Sequence, residues 1–182
     1  MATHTPITAE YARSRIDYDP ETGILTWKAR PVRNRIDKMW NTRFANTAIA
    51  HKNSTGHIQF GLDGRNHLGH RIAWLIVHGE CPPLVDHENR IRDDNRLLNL
   101  RAATRSQNNT NTRVYSNNTS GFRGVSRRSS RNKWSAHIRH AGKTLHLGNF
   151  NCITAAALAY DAAARKFHGE FASLNFKETS IG

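Results

Sequence analysis

Acidic side chains are missing from a long part of this sequence. Between Asn95 and Tyr160 there is no Asp or Glu, while Arg96, Arg101, Arg105, Arg113, Arg123, Arg127, Arg128, Arg131, Lys133, Arg139 and Lys143 all fall there. A solvated surface ordinarily mixes both signs, so a one-signed run of this length points to phosphate contact. The 182 residues carry a formal net charge of +13 and a pI of about 10.7. Such a balance implies a polyanionic partner, nucleic acid or an acidic membrane surface. Long apolar runs are absent too. The longest, Ile72 to Val77, is far too short to span a bilayer, and Met1-Ala2-Thr3-His4 shows no basic-then-apolar export pattern. Cysteine is scarce: Cys81 and Cys152 stand alone, with no Cys-x-x-Cys pair. That argues against a thiolate zinc knuckle and fits a reducing cytoplasm. The hydrophobic share, 37%, is low for one well-filled core, so two small cores are expected.

Local patterns then order the chain. Thr8 can cap a short helix through Ala9 to Arg13. Asp19-Pro20-Glu21-Thr22-Gly23 reads as a turn leading into a strand at Ile24-Leu25-Thr26-Trp27. Residues 31–50, rich in Arg and Asn, read as irregular and are left unassigned. Gly56 to Leu68 reads as a hairpin about Asp63-Gly64, with Ile58, Phe60 and Leu62 on one face. Arg71 to His78 reads as a buried helix stopped by Gly79 and Pro82-Pro83. Trp74 is assigned to core packing, and His70, a lone histidine, to a structural role.

The centre of the chain is Val85-Asp86-His87, then Asp94 to Arg101, then Thr104 to Asn109. Leu84 to His87 reads as a strand and Leu100 to Ala103 as its return. Thr104-x-x-Gln107 is a capping-box pattern, so a helix carrying Asn108 should follow. An acid beside a histidine, an asparagine-rich loop and a polar residue on the next helix can hold one hard metal ion and activate one water. Residues 113–120 turn polar and read as a linker.

From Gly121 the pattern changes to three strands, Phe122 to Ser126, Lys133 to Arg139 and Lys143 to Phe150, with Arg131-Asn132 and Ala141-Gly142 at the turns. Alternation puts Val125, Ala136, Ile138, Leu145 and Leu147 on one face and Arg and His largely on the other. Thr154 can cap a helix reaching about His168 and ended by Gly169. A three-stranded sheet backed by one helix leaves a basic face that fits a major groove.

Residues 86–108 resemble the HNH endonuclease motif of phage and mobile-intron nucleases. The H-N-H letters fall on His87, Asn99 and Asn108, an H-N-N version. The likeness extends to Tyr18-Asp19-Pro20-Glu21-Thr22-Gly23 and His70-Arg71. It departs from the commoner pattern at Glu88 and at Arg90-Ile91, where relatives often show an aliphatic residue and Gly-Asp. Residues 121–176 resemble the AP2/ERF DNA-binding domain, through Arg123-Gly124-Val125, Lys133-Trp134-x-Ala136-x-Ile138-Arg139, Leu147-Gly148-x-Phe150, Ala155 to Ala164 and Leu174-Asn175-Phe176. Trp134 is read as packed against its own domain.

These resemblances imply an α+β chain. Residues 1–112 form an N-terminal ββα-metal (HNH) nuclease domain with its core at about 84–112. Residues 113–120 are the linker. Residues 121–176 form a C-terminal three-stranded antiparallel sheet packed on one helix. The expected activity is metal-dependent phosphodiester hydrolysis of double-stranded DNA, of homing type, by a monomer, nicking being the simpler product for one active site. A histidine with an unperturbed pKa of about 6.5 is mostly neutral at pH 7, so His87 is assigned as general base. Asp86 and Asn108 supply hard oxygen donors suited to Mg²⁺ or Mn²⁺. By the resemblance, Asn99 holds the loop that orients His87, and Arg123, Arg127, Arg128, Arg139, Lys143 and His146 meet DNA. Two other readings are a regulator that binds DNA through the second domain with a decayed nuclease half, and RNA binding through the basic linker. The A-form major groove disfavours the last.

Overall fold

The computed structural model describes residues 7–110, 118–128 and 133–176. The linker residues 113–117 and the Arg131-Asn132 turn lie outside them. The chain forms two compact units, Met1–Thr104 and Arg105–Gly182.

Among the described residues, the first unit combines three two-stranded ribbons with three α-helices. Helix α1 (Ala9–Arg15) starts at Thr8, whose hydroxyl accepts from Tyr11 N at 3.2 Å, as the sequence predicts. Strands β1 (Ile16–Tyr18) and β2 (Leu25–Trp27) pair antiparallel across the Asp19–Gly23 turn. The unassigned stretch holds helix α2 (Arg35–Phe44), capped by Asn34 and burying none of its residues. Ile36, Met39, Trp40 and Phe44 recur at helical spacing along it; Trp40 packs edge-on against Trp27, while Ile36 and Met39 face solvent. Strands β3 (Gln59–Leu62) and β4 (Arg65–Leu68) form the expected hairpin. Asp63 and Gly64 take φ of 51° and 73°, the pair of positive values that a two-residue hairpin turn requires. Helix α3 (Gly69–His78) follows directly and stops at left-handed Gly79. The core gathers Ala12, Ile16, Leu25, Phe60, Leu62, Ile72 and Leu75. Strands β5 (Leu84–His87) and β6 (Leu100–Ala103) form a separate ribbon, Val85 and Leu100 packing with Ala73 of α3.

The second unit begins with helix α4 (Arg105–Thr110). Strands β7 (Val125–Arg128), β8 (Lys133–His140) and β9 (Lys143–Phe150) make a three-stranded antiparallel sheet, and helix α5 (Ile153–His168) covers one face. Val125, Ala136 and Ile138 are buried against Ala156, Ala157, Tyr160 and Ala164, whose small side chains let helix and sheet approach closely.

In the second unit, two element starts differ from the expectation. Strand β7 begins at Val125 rather than Phe122 because Phe122-Arg123-Gly124 forms a turn, with Gly124 at φ 68° lying against Tyr160, where a Cβ would overlap the ring. Helix α5 has Cys152 at the cap position, so Thr154 lies within its first turn and is not the cap. Its end at Gly169 is as expected.

Candidate active site

Strand β5 presents Asp86 and His87, both buried, at 7% and 5% exposure. Successive residues of a strand leave opposite faces. Asp86 stands opposite Arg101 in the ladder, and its Oδ2 accepts from Arg101 Nε at 3.1 Å and Nη2 at 2.9 Å. His87 turns towards the loop: its Nε2 lies 3.2 Å from Asn95 Oδ1. With the amide oxygen facing the ring, Nε2 carries the proton and Nδ1 the lone pair; the Nδ2 of Asn95 is buried without a hydrogen-bond partner. A base able to take a proton from water is thereby set in one tautomer. Burial pushes the His87 imidazole below its ordinary pKa, opposed by the Asn95 hydrogen bond and the charge of Asp86.

The loop that aims His87 is held from two sides. Within it, Asn99 joins both ends, its Oδ1 accepting from Asn89 N at 2.9 Å and its Nδ2 donating to Asp94 O at 2.7 Å. Asp94 takes Arg96 Nε and Nη2 at 2.8 and 2.6 Å and Asn89 Nδ2 at 2.6 Å. The Arg96 guanidinium, with Asn89, holds the Asp94 carboxyl down at about 2. Arg90 takes φ 64°, in the left-handed region that favours glycine.

From outside, the Asp19–Gly23 turn clamps the same loop. Tyr18 Oη donates to Asn95 O at 2.7 Å, and Leu97 N donates to Pro20 O at 2.9 Å. Gly23, at φ 75°, lies so close that a Cβ would overlap the backbone of Asn95 and Arg96. Burial raises the Tyr18 phenol to about 12, so it remains a donor throughout the neutral range.

Near His87 stand His57, which the sequence reading did not single out, and His70, which it read as structural. His57 and His70 bring ring nitrogens to His87, the atoms of all three lying within 4.8 Å of one another, a group that could hold a metal ion. The structural role read for His70 rested on its being alone, and it is not. Burial, with the neighbouring imidazoles, drives its pKa down to about 3. His57 is lowered as well, first by burial. The signal was the spacing of His57, His70 and His87 across a hairpin, a helix start and a strand, visible only once these elements are assembled. Asn95 was also missed, being one of several loop asparagines. It is distinguished by burial at 1% exposure. Asn108 lies on α4, in the second unit.

In the second unit, register assigns faces to the basic residues. Ser126 and Arg128 of β7 pair with Ser135 and Lys133, and Arg139 with Thr144. Alternation therefore puts Arg128, Arg139 and His146 on the face away from α5. Arg127 and Lys143 share the parity of Val125 and Leu145 but are exposed at strand ends. A bulge at Ala136/His137 lets Leu147 pack inward beside Ala136. Trp134 packs in the core, as expected. Arg123 is half-buried in the turn before β7, and Asn175 brackets its backbone, accepting from N at 2.6 Å and donating to O at 3.2 Å. Asp161, buried at 1% exposure, receives Asn175 N at 2.8 Å and Phe176 N at 2.9 Å.

Comparison with known proteins agrees with these two sets of features. A family model described as HNH endonuclease matches residues 67–110, and one described as AP2 domain matches residues 120–170. The chain joins an HNH endonuclease domain to an AP2 domain. An uncharacterized HNH endonuclease of Acanthamoeba polyphaga mimivirus is 34% identical over 114 residues, 62% of this chain and 58% of the relative. APETALA2-like protein 2 of rice is 46% identical over 57 residues, 31% of this chain and 13% of the relative. Dehydration-responsive element-binding protein 2D of Arabidopsis thaliana is 51% identical over 49 residues, 26% of this chain and 24% of the relative. The chain thus spans under two thirds of each of these relatives, 58% at most. The HNH match includes β5, the loop, β6 and α4; the AP2 match includes the sheet and α5. Among the described residues no helix is long and apolar enough to cross a membrane.

An HNH domain implies a divalent metal ion. The donor chemistry fits one: Asp86 is a buried carboxylate on β5, and amide oxygens are hard donors of the same kind.

Proposed function

We propose that this chain is a divalent-metal-dependent endonuclease acting on double-stranded DNA, of the homing type carried by phages and mobile introns, and that it nicks as a monomer. The observation that carries this reading is the His87–Asn95 hydrogen bond at 3.2 Å, which leaves the lone pair of a neutral, buried imidazole on Nδ1 inside an HNH domain.

Phosphodiester hydrolysis needs a proton taken from water, a counter-charge at the phosphate and help for the leaving oxygen. His87 Nδ1 takes the proton. Asn95 holds the ring through Nε2–H and favours the imidazolium once it forms. Asn99 keeps the loop closed so that Asn95 stays in reach. Asp86 would be a ligand to Mg²⁺ or Mn²⁺, and the motif resemblance names Asn108 as another; the ion would supply a charge clamp on the phosphate and stabilise the departing 3′ oxygen. Arg128, Arg139 and His146 on the open face of the AP2 sheet meet DNA, with Arg123, Arg127 and Lys143 at its edges contacting phosphates. A relative named an HNH endonuclease and a plant relative named for element binding support the reading, as do the two family models over residues 67–110 and 120–170.

A supercoiled-plasmid assay tests the reading, with wild type and His87→Ala, with and without Mg²⁺. The expected result is conversion to open circle by wild type with Mg²⁺ alone. A clear gel shift without conversion in Mg²⁺ or Mn²⁺ would replace this reading with a DNA-binding regulator whose nuclease half has decayed.

A further inference from the structure

We propose that His57, His70 and His87 form a nitrogen-ligand site for a transition-metal dication of the Zn²⁺ class, separate from the oxygen donors of Asp86 and Asn108, and that its occupancy stops His87 from accepting a proton. The second half of this statement rests on the nuclease reading; the first does not.

Ligand chemistry comes first. Three imidazoles with no carboxylate among them favour Zn²⁺, Co²⁺, Ni²⁺ or Cu²⁺ over Mg²⁺ or Ca²⁺. Three protein ligands leave a fourth tetrahedral position for water. The ring centroids stand 4.9 Å (His70–His87), 5.0 Å (His57–His70) and 5.7 Å (His57–His87) apart. Tetrahedral nitrogens around zinc lie about 3.3 Å from one another. The group, now within 4.8 Å, therefore has to close by roughly 1.5 Å at most. His57 can supply that movement, since it is the half-exposed member, placed just before β3.

Tautomers come second. The Thr55 hydroxyl hydrogen goes to Asn53 Oδ1 at 2.7 Å. The orientation of Asn53 is set by Nδ2 donating to Gln59 Oε1 at 2.9 Å and by Oδ1 accepting from Thr55 N and His57 N at 3.0 and 3.1 Å. Thr55 Oγ1 can then only accept from His57 Nδ1, 2.8 Å away, which leaves the lone pair on His57 Nε2. Outer-shell bonds of this kind fix metal-ligating histidines. The Asn95 bond does the same for His87, leaving its lone pair on Nδ1. His70 adds an independent sign: it is 5% exposed, and its Nδ1 is buried without a hydrogen-bond partner, an uncommon state for a polar atom in a native interior.

Coordination through His87 Nδ1 uses the lone pair that would accept a proton. Zinc binding and general-base action at this ring are mutually exclusive.

The test uses the full chain, stripped of metal and free of DNA. Zn²⁺ is titrated in competition with a chromophoric chelator, and Co²⁺ is titrated by absorption. The expected result is one ion per chain and a tetrahedral Co²⁺ spectrum without a sulfur-to-cobalt band. Binding should be weakened about 100-fold in His57→Gln and about 10-fold in Thr55→Val, which keeps the ring but removes its acceptor. The site is overturned if wild type retains no Zn²⁺, if both variants bind as wild type does, or if a sulfur band assigns the ion to Cys81 or Cys152. A second arm adds equimolar Zn²⁺ to Mg²⁺-dependent plasmid cleavage. Wild type should lose activity, and His57→Gln should keep its own zinc-free rate. Zinc that binds at the histidines yet leaves wild-type cleavage intact overturns the competition. Zinc binding by a chain that never cleaves supports the site and sinks only the nuclease reading.

Discussion

At the scale of single residues, His87 and Asn95 act as a pair. Removing the imidazole in His87→Ala removes the proton acceptor, and general-base loss ordinarily costs 10²–10⁴-fold. Asn95→Ala leaves the base but frees its tautomer and orientation. Single-turnover cleavage is expected to fall about 10–100-fold in that variant, with DNA affinity near wild type, because Asn95 acts through His87. Equal losses in rate and in binding would show instead that Asn95 only holds the loop together.

Asp94 carries a pH signature. Arg96, with Asn89, holds its carboxyl near 2, below the unfolded value of about 3.9. A group with a depressed folded pKa stabilises fully above the unfolded value and loses that contribution as pH falls through the folded one. Urea midpoints of wild type and Asp94→Asn should therefore differ most above about pH 5 and converge between pH 4 and pH 2. A constant gap across that window would assign the loss in Asp94→Asn to packing rather than charge.

Elements act here through what they clamp. The β1–β2 turn lies about seventy residues upstream of the active-site loop in sequence, yet it touches that loop at Tyr18, Pro20 and Gly23. Gly23→Ala places a methyl group into the Asn95–Arg96 backbone at a positive φ, so a loss of at least 1–3 kcal/mol is expected from strain alone. Chemical denaturation measures this, and cleavage should fall with it, since the displaced segment carries Asn95. The β5–β6 ribbon holds Asp86 against Arg101, with side chains 8% and 15% exposed. Arg101→Gln takes the guanidinium away from a buried carboxylate and should cost about 3 kcal/mol. Mg²⁺ should restore part of that loss if Asp86 is a metal ligand, because a cation bound only by the folded state stabilises it. No Mg²⁺ effect on the melting of the variant would remove Asp86 from the ligand set.

For the molecule as a whole, the charge is divided by function. The AP2 domain has Asp161 buried against backbone amides, while Arg128, Arg139 and Lys143 are exposed. Binding through phosphate neutralisation weakens with salt, and the logarithmic slope falls by about 1 for each phosphate left without its cation. Arg128→Ala and Arg139→Ala, tested by fluorescence anisotropy over a salt series in the full chain, should each lower it by that amount. A variant that keeps the slope but relaxes sequence preference reads a base edge rather than a phosphate.

Much was legible before any coordinates. The two strands of the central ribbon, the hairpin at Asp63-Gly64, the Thr8 cap and the sheet of the AP2 domain follow from local rules: positive-φ turns, side-chain caps and alternation act over a few residues, and a sequence displays them directly. The adjacent pair Asp86-His87 and Asn99 were equally visible as letters of an ordered motif. Helix α2 went unread although Ile36, Met39, Trp40 and Phe44 stand at helical spacing, because the surrounding stretch is rich in Arg and Asn. Nor was the role of Asn95 legible against its neighbouring asparagines, since a hydrogen bond to His87 and 1% exposure are properties of a closed loop. The cluster of His57, His70 and His87 depended on three elements far apart in the chain meeting at one point. Local geometry is encoded in neighbouring residues. Convergence of side chains, and the burial that sets their tautomers and proton affinities, exists only after packing.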